Sequence, residues 1–309
     1  MNFFTDLFVD GLFVGSTYAI LALGYSMVYG VLGLINFAHG DVLMIGTFVC
    51  YSAINILEHY LPSTSHGIIL VVATSISMII SGITGALLEL VAYRRVRKAS
   101  SLICLTTAIG ASIVIQSIAM IIWGRQYLKF PQYIPMHMIH FWKISAPFSH
   151  ITTIAVTTVT MLLLWLFVRK TRIGLSIRAV SEHDMVAELM GINSNAVISI
   201  TFIMGSALAA LGGILLASNY GIINYGMGFV PGIKAFTAAV IGGIGSIPGS
   251  MVGGMLLGVV EALVTGYITD WTGGILNSDY QNVFSFIILL TVLLVRPNGL
   301  LGTSNTDKS

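Results

Sequence analysis

The sequence predicts an all-α, polytopic membrane helix bundle, on three observations. Hydrophobic residues fill 56% of the 309 positions and charged residues only 8%, whereas an ordinary soluble domain carries about 25% charged residues. The apolar residues are gathered into runs, most of them close to the ~20 residues that a helix needs to cross a bilayer. Glycine occurs 33 times, above the usual ~7%, which suits close helix packing and interrupted helices in lipid. Because lipid offers no partner to backbone N–H and C=O groups, runs of this kind are read as helices.

In chain order the runs are 9–29, 41–57, 67–93, 102–123, 151–168, 196–218, 229–244, 250–268 and 283–295. The seventh is short and carries Pro231 and Lys234, so it either crosses as a broken helix or re-enters. That leaves roughly eight to nine crossings, some of them interrupted by glycine. No Lys or Arg precedes Arg94, and without a basic leader no cleaved signal peptide is expected.

Basic residues gather at Arg94, Arg95, Arg97 and Lys98, and again at Arg169, Lys170, Arg172 and Arg178. Positive charge is retained in the cytoplasm, and the two runs between these clusters satisfy both. Counting 229–244 as a crossing then places the N-terminus outside and the tail after Arg296 inside. The longest external connection is 124–150, with Arg125, Lys129 and Lys143, three prolines and several aromatics.

Glycines bracket two elbows, 33–40 and 242–249. Irregular backbone at membrane depth survives only where protein or a water-filled cavity satisfies it, so both elbows are expected to face the bundle interior. Asn36, His39 and Asp41 at the first, with Ser246 and Ser250 at the second, are candidate linings of a translocation path. Helices expected to start at Asp41 and Ser250 turn their positive dipole ends there. His39 and Asp41 either pair and relay a proton or satisfy and cap the elbow. Of the acidic residues set in apolar runs, Glu261 is a path candidate and Glu89 either pairs with Arg94 or snorkels. Gln116, mid-run, is placed to bond across helices. Gly249/Gly253, Gly254/Gly258 and Gly205, Ala209 and Gly213 form strips that suit close packing inside the subunit or against a partner.

The stretch 169–195 is the longest polar island. Ser181, Glu182 and Asp184 resemble the start of a helix, by a capping box and by negative charge in the first turn, and Gly191 is suited to end it. Met185, Val186, Leu189 and Met190 share one arc while Asp184 and Glu188 face away. An acidic face turned outward makes this helix a candidate docking element.

The same residues carry a resemblance. Ala179, Asp184, Ala187 and Gly191-Ile192-Asn193 resemble the coupling loop of branched-chain amino acid ABC importer permeases of the LivH type. So do NFAHGDVLMIG from Asn36, TFIMGSALAALGGILLA from Thr201, KAFTAAVIGGIGSIPGSMVGG from Lys234 and RPNGLLG from Arg296, together covering nearly the whole chain. His183 departs from the relatives, which often carry a carboxylate or amide there. The resemblance implies one permease domain over 1–309, with 169–195 as the coupling loop. In that loop Ser181, Glu182, Asp184, Ala187, Glu188 and Gly191 would couple to an ATPase. The implied partners are a second permease of the LivM type, two cytoplasmic ATPases and a periplasmic amino-acid-binding protein, around a chain in the bacterial inner membrane. Leucine, isoleucine and valine would be the cargo; short amides or urea are the alternative, and a stand-alone secondary transporter or channel is the alternative of another class.

A phosphate-binding loop ending in Lys and Ser or Thr is absent, so ATP and its magnesium are expected on partner subunits. There is likewise no HExxH, CxxC pair or G-x-S-x-G elbow. Neither enzyme chemistry nor a metal or cofactor bound by this chain is expected. Cys50 and Cys104 have no metal-like spacing, and nothing points to nucleic acid.

Overall fold

In a computed structural model the residues described are 3–302 apart from 98, 142, 143, 276, 278, 279 and 297. Lys98, Lys143 and Pro297, which entered the charge and motif readings above, lie outside them. Among the described residues, seven helices are long and apolar enough to cross a membrane. They are α1 (Phe3–Leu32), α2 (His39–Tyr60), α3 (His66–Leu88) continued through a π turn (Glu89–Tyr93) into α4 (Arg94–Val96), α5 (Ser101–Trp123), α6 (Phe148–Lys170), α9 (Ser194–Tyr220) and α11 (Ile247–Trp271). Between α6 and α9 lie the short α7 (Arg172–Glu182) and α8 (Asp184–Leu189). The remaining apolar helices, α10 (Phe229–Gly242) and α12 (Gln281–Val295), have 14 and 15 residues. At 1.5 Å per residue each rises only about 21–23 Å. The chain is a multi-pass helical membrane protein, and α12, expected to be an ordinary span, is as short as the broken seventh run.

The connection 124–147 contains three short strands, β1 (Leu128–Lys129), β2 (Met138–Phe141) and β3 (Ile144–Pro147). β2 and β3 form an antiparallel hairpin. β1 pairs with β4 (Ile222–Ile223), Leu128 opposite Ile223, and Phe130 N donates to Gly221 O at 2.9 Å. This pairing joins the carboxyl ends of α5 and α9, which parity places on one side of the membrane.

Contacts divide the chain into two compact units, each discontinuous in sequence. One comprises 27–134 and 163–233, and its helices α2, α3 and α9 meet over residues too small to hold them apart. A Cβ on Gly46 would stand 2.4 Å from Ala210 Cβ, and one on Gly85 2.0 Å from Ser206 Oγ. Ser77 donates to Gly46 O at 2.5 Å. Toward the other end of α2, Phe48 stacks on Trp123 at 4.9 Å, and Trp123 Nε1 donates to Ser52 at 2.8 Å. Past that end the Tyr133 phenol donates to Glu58, and His66 stacks on its ring at 4.7 Å. Burial and the Glu58 carboxylate push the Tyr133 phenol well above its ordinary range.

The other unit comprises 1–26, 135–162 and 234–309. Here α1 and α11 run together, Gly11 and Gly15 against Gly254, Val259 and Gly258, with Ala19 against Gly254. The strip on α11 therefore packs inside the subunit, and so does Gly213 on α9, a Cβ there lying 2.4 Å from Thr47 Oγ1.

Candidate functional site

The basic loop folds into two helices where one was expected. Thr171 caps α7, its hydroxyl accepting from Gly174 N at 3.0 Å. The helix then runs on to Glu182, so Ser181 lies in its last turn and donates to Arg178 O at 2.8 Å. The expected capping box fails because Ser181 is already helical. His183, in extended conformation, separates α7 from α8 and gives α8 no side-chain cap. Gly191 does end the helix: its φ is 84°, Gly191 N donates to Glu188 O at 2.9 Å and Ile192 N to Ala187 O at 3.0 Å.

Asn193 then caps α9, its Oδ1 accepting from Ala196 N at 3.1 Å, so α8 is fastened directly to a long core helix. Of the six residues of α8 only Ala187 is buried, while Glu182, Asp184 and Glu188 are exposed. The apolar arc is open as well, with Met185 77%, Val186 55%, Leu189 81% and Met190 79% exposed. An acidic outer face was expected; the structure exposes a methionine- and leucine-rich one beside it, the kind of patch that marks a docking surface.

The first elbow is built on Gly33, with φ 66°, and on Asn36, which is buried. Asn36 Oδ1 accepts from Ala38 N at 3.1 Å and from the Tyr93 hydroxyl at 2.8 Å. α2 starts at His39, two residues before the expected Asp41, and the side chain that holds the turn before it belongs to Asn36. His39 and Asp41 are both buried. Asp41 accepts from Gln116 Nε2 at 2.9 Å, the bond across helices anticipated for that glutamine. Gly40 meets Gly228 backbone to backbone: a Cβ on Gly40 would lie 2.3 Å from Gly228 O. The start of α10 therefore abuts the start of α2.

Glu89 pairs with Arg94, and the pair is fully built. Arg94 Nε and Nη2 each donate to a Glu89 oxygen at 2.9 Å, and Ser199 of α9 donates to Glu89 Oε2 at 2.9 Å. No local signal marked Ser199 or Tyr93, since both act through partners 57 or more positions away.

Ser246, Ser250 and Glu261 belong to the other unit. Ser246 caps α11, accepting from Gly249 N at 3.2 Å, so this helix starts at Ile247 and not at the expected Ser250. Ser250 is buried and donates to Ser246 O at 3.1 Å. The turn between α10 and α11 needs glycine at Gly243 and Gly245, with φ 105° and 91°, and Ser26 accepts from Gly245 N at 2.8 Å. Glu261, 1% exposed, is engaged from every side. Lys234 and Gln281 donate to one oxygen, Ser285 to the other at 3.1 Å, and Tyr18 contributes its hydroxyl at 3.3 Å. Lys234 also lies over the Tyr18 ring, 5.6 Å from its centre. Among the described residues no group of three or more His, Cys, Asp or Glu is placed to hold a metal ion.

Comparison with known proteins matches residues 7–293 to a family described as branched-chain amino acid transport system / permease component. The chain is 42% identical over 305 residues to the high-affinity branched-chain amino acid transport system permease protein BraD of Pseudomonas aeruginosa, covering 97% of this chain and 96% of that one. It is 42% identical to the LivH permease protein of Escherichia coli K12 and 44% identical to that of Salmonella typhimurium. Each of these matches covers 99% of this chain and 98% of the relative.

Proposed function

This chain belongs to the permease-component family of branched-chain amino acid transport systems, and on that premise we propose that it is one permease of an ATP-driven importer of leucine, isoleucine and valine in a bacterial inner membrane. A second permease of the LivM type completes the path, a periplasmic binding protein delivers the amino acid, and two cytoplasmic ATPases bind ATP with magnesium. The loop 169–195 faces the cytoplasm and docks an ATPase through α8. Asn36, His39, Asp41, Ser246 and Ser250 lie along the path or its gate. Glu261, with both oxygens engaged, serves it by fixing the helices beside it.

The observation that carries this reading is the open apolar arc of α8, locked to α9 by Gly191 and Asn193. A six-residue helix that exposes three large apolar side chains, with a fourth, Met190, at its C-cap, has its counterpart on another protein. Burying side chains of this kind is worth about 1.5–3 kcal/mol each, so Leu189→Glu is expected to weaken docking by roughly tenfold or more. In proteoliposomes containing both permeases, the ATPases and the binding protein, leucine uptake and leucine-stimulated ATP hydrolysis should fall together. The variant should still insert, because Leu189 is 81% exposed in its own chain. Uptake at the parental rate with a well-inserted Leu189→Glu variant would remove α8 as the docking element.

A further inference from the structure

The helix that runs from His66 to Val96 changes geometry once, at the π turn Glu89–Tyr93, where Arg94 N donates to Glu89 O five residues back. In an α-helix residues five apart point about 140° away from each other. An i→i+5 turn brings them onto one face, and this lets Arg94 grip Glu89 with two nitrogens at 2.9 Å each. The π turn thus sets Arg94 on the face of Glu89, and the ion pair closes across it.

Both ends of this turn are attached to parts of the same unit that the transport reading uses. On one side stands the amino end of α9, which carries α8. There Ser199 donates to Glu89 at 2.9 Å and accepts from Arg94 at 2.9 Å, and Arg97 donates to Asn195 at 2.6 Å. On the other side the Tyr93 hydroxyl donates to Asn36 Oδ1, the same oxygen that receives Ala38 N ahead of α2. A displacement of α8 and the first turns of α9 pulls on Ser199 and Asn195. Once Glu89 loses Arg94, the ladder can close as an α-helix, which rotates Tyr93 away from Asn36 and frees the elbow. The structure holds the first state, a π turn with its ion pair and a held elbow; the second state inferred from it is an α turn with neither.

We propose that the π turn Glu89–Tyr93 is the switch through which the loop carrying α8 sets the elbow at Asn36, with Glu89 and Tyr93 as positioning residues for transport. This rests on the importer reading above. Tyr93→Phe tests it with little risk to folding, because the ring keeps its place against Phe202, 5.4 Å away, and only the hydroxyl is lost. In proteoliposomes of the complete complex, leucine taken up per ATP hydrolysed should fall about fivefold, the size of one lost hydrogen bond. Basal hydrolysis should stay within about twofold, since the hydroxyl that is lost donates to Asn36 at the elbow.

Cysteine placed at Phe37, exposed on the elbow, reports the elbow directly. With Tyr93 intact its reaction with a water-soluble maleimide should differ between nucleotide-free and ATP-bound complex, and with Tyr93→Phe that difference should vanish. Cys50 and Cys104 are buried and give little background. An unchanged uptake-to-hydrolysis ratio together with a preserved nucleotide-dependent difference at Phe37→Cys would overturn the switch. The importer reading fails separately, if the unmodified complex takes up no leucine at the expense of ATP.

Discussion

Lys234→Met alone should abolish accumulation of the folded subunit, and Lys234→Met combined with Glu261→Gln should restore most of it. Lys234 is 4% exposed and Glu261 1%, so neither charge has water to return to when its partner is removed. Deleting one member of a buried ion pair costs about 3–5 kcal/mol, whereas replacing both is often neutral or stabilising. A membrane interior sharpens the same asymmetry. In the single variant Glu261 keeps only neutral donors, Tyr18, Gln281 and Ser285. In the double variant the glutamine carbonyl can take the place of the oxygen that accepts from Gln281, while its amide group donates to the Ser285 hydroxyl where the other oxygen stood, and no charge is left over.

The pair also holds the two shortest apolar helices in place. Lys234 lies in α10, and Gln281 and Ser285 sit one turn apart at the amino end of α12. A carboxylate from α11 meets that amino end, where the helix dipole favours it. Detergent-solubilised yield and thermal melting of the purified complex read the effect. A single variant as stable as the parent, or a double variant no better than the single, would show that the pair is dispensable. Leucine uptake by the restored double variant would further separate Glu261 as a helix anchor from Glu261 as a cargo contact, since a cargo-binding carboxylate has no substitute in glutamine.

What was legible in the sequence is what one segment decides by itself. The long helices follow from runs of apolar residues under the rule that lipid satisfies no backbone group. Gly191 announced a left-handed terminus; the Glu89–Arg94 pair was one of two local readings, and it is the π turn, not the five-residue spacing, that brings the two together. Elements decided by distant residues were not. The helix expected from Ser181 became α7 and α8 because Thr171, ten positions earlier, caps a helix that runs through Ser181. Asp41 looked like the cap of α2, but α2 has no side-chain cap, and Asn36 in the preceding turn instead accepts from Ala38 N ahead of it. Glu261 was marked as unusual by its apolar surroundings, yet its partners are 243, 27, 20 and 24 positions away, and no periodicity encodes such separations.

Gly258→Leu should prevent the subunit from folding, and Gly110→Leu, the same change in another membrane helix, should leave folding intact. On α11 a Cβ at Gly258 would lie 2.1 Å from Gly15 N and 2.2 Å from Gly15 Cα. The obstacle is backbone, so no rotamer change relieves it; α1 and α11 would have to separate along the strip formed by Gly11, Gly15, Gly254 and Gly258. Between apolar helices in lipid the attraction is close packing itself, without a hydrophobic driving force to replace it. Separation therefore forfeits the contact, and with it the burial of the residues lining both helices. Overpacking in a well-filled core already costs about 1–3 kcal/mol when side chains can yield, and a backbone clash lies at or beyond the upper end of that range. Gly110, on α5, has nothing within 4 Å of a Cβ, and leucine there also improves helix propensity by up to ~1 kcal/mol. Size-exclusion profiles and melting temperatures of the two variants, expressed in parallel, distinguish the sites. Equal yields would mean that α1 and α11 tolerate separation, and that the glycine strip does not determine how this unit is packed.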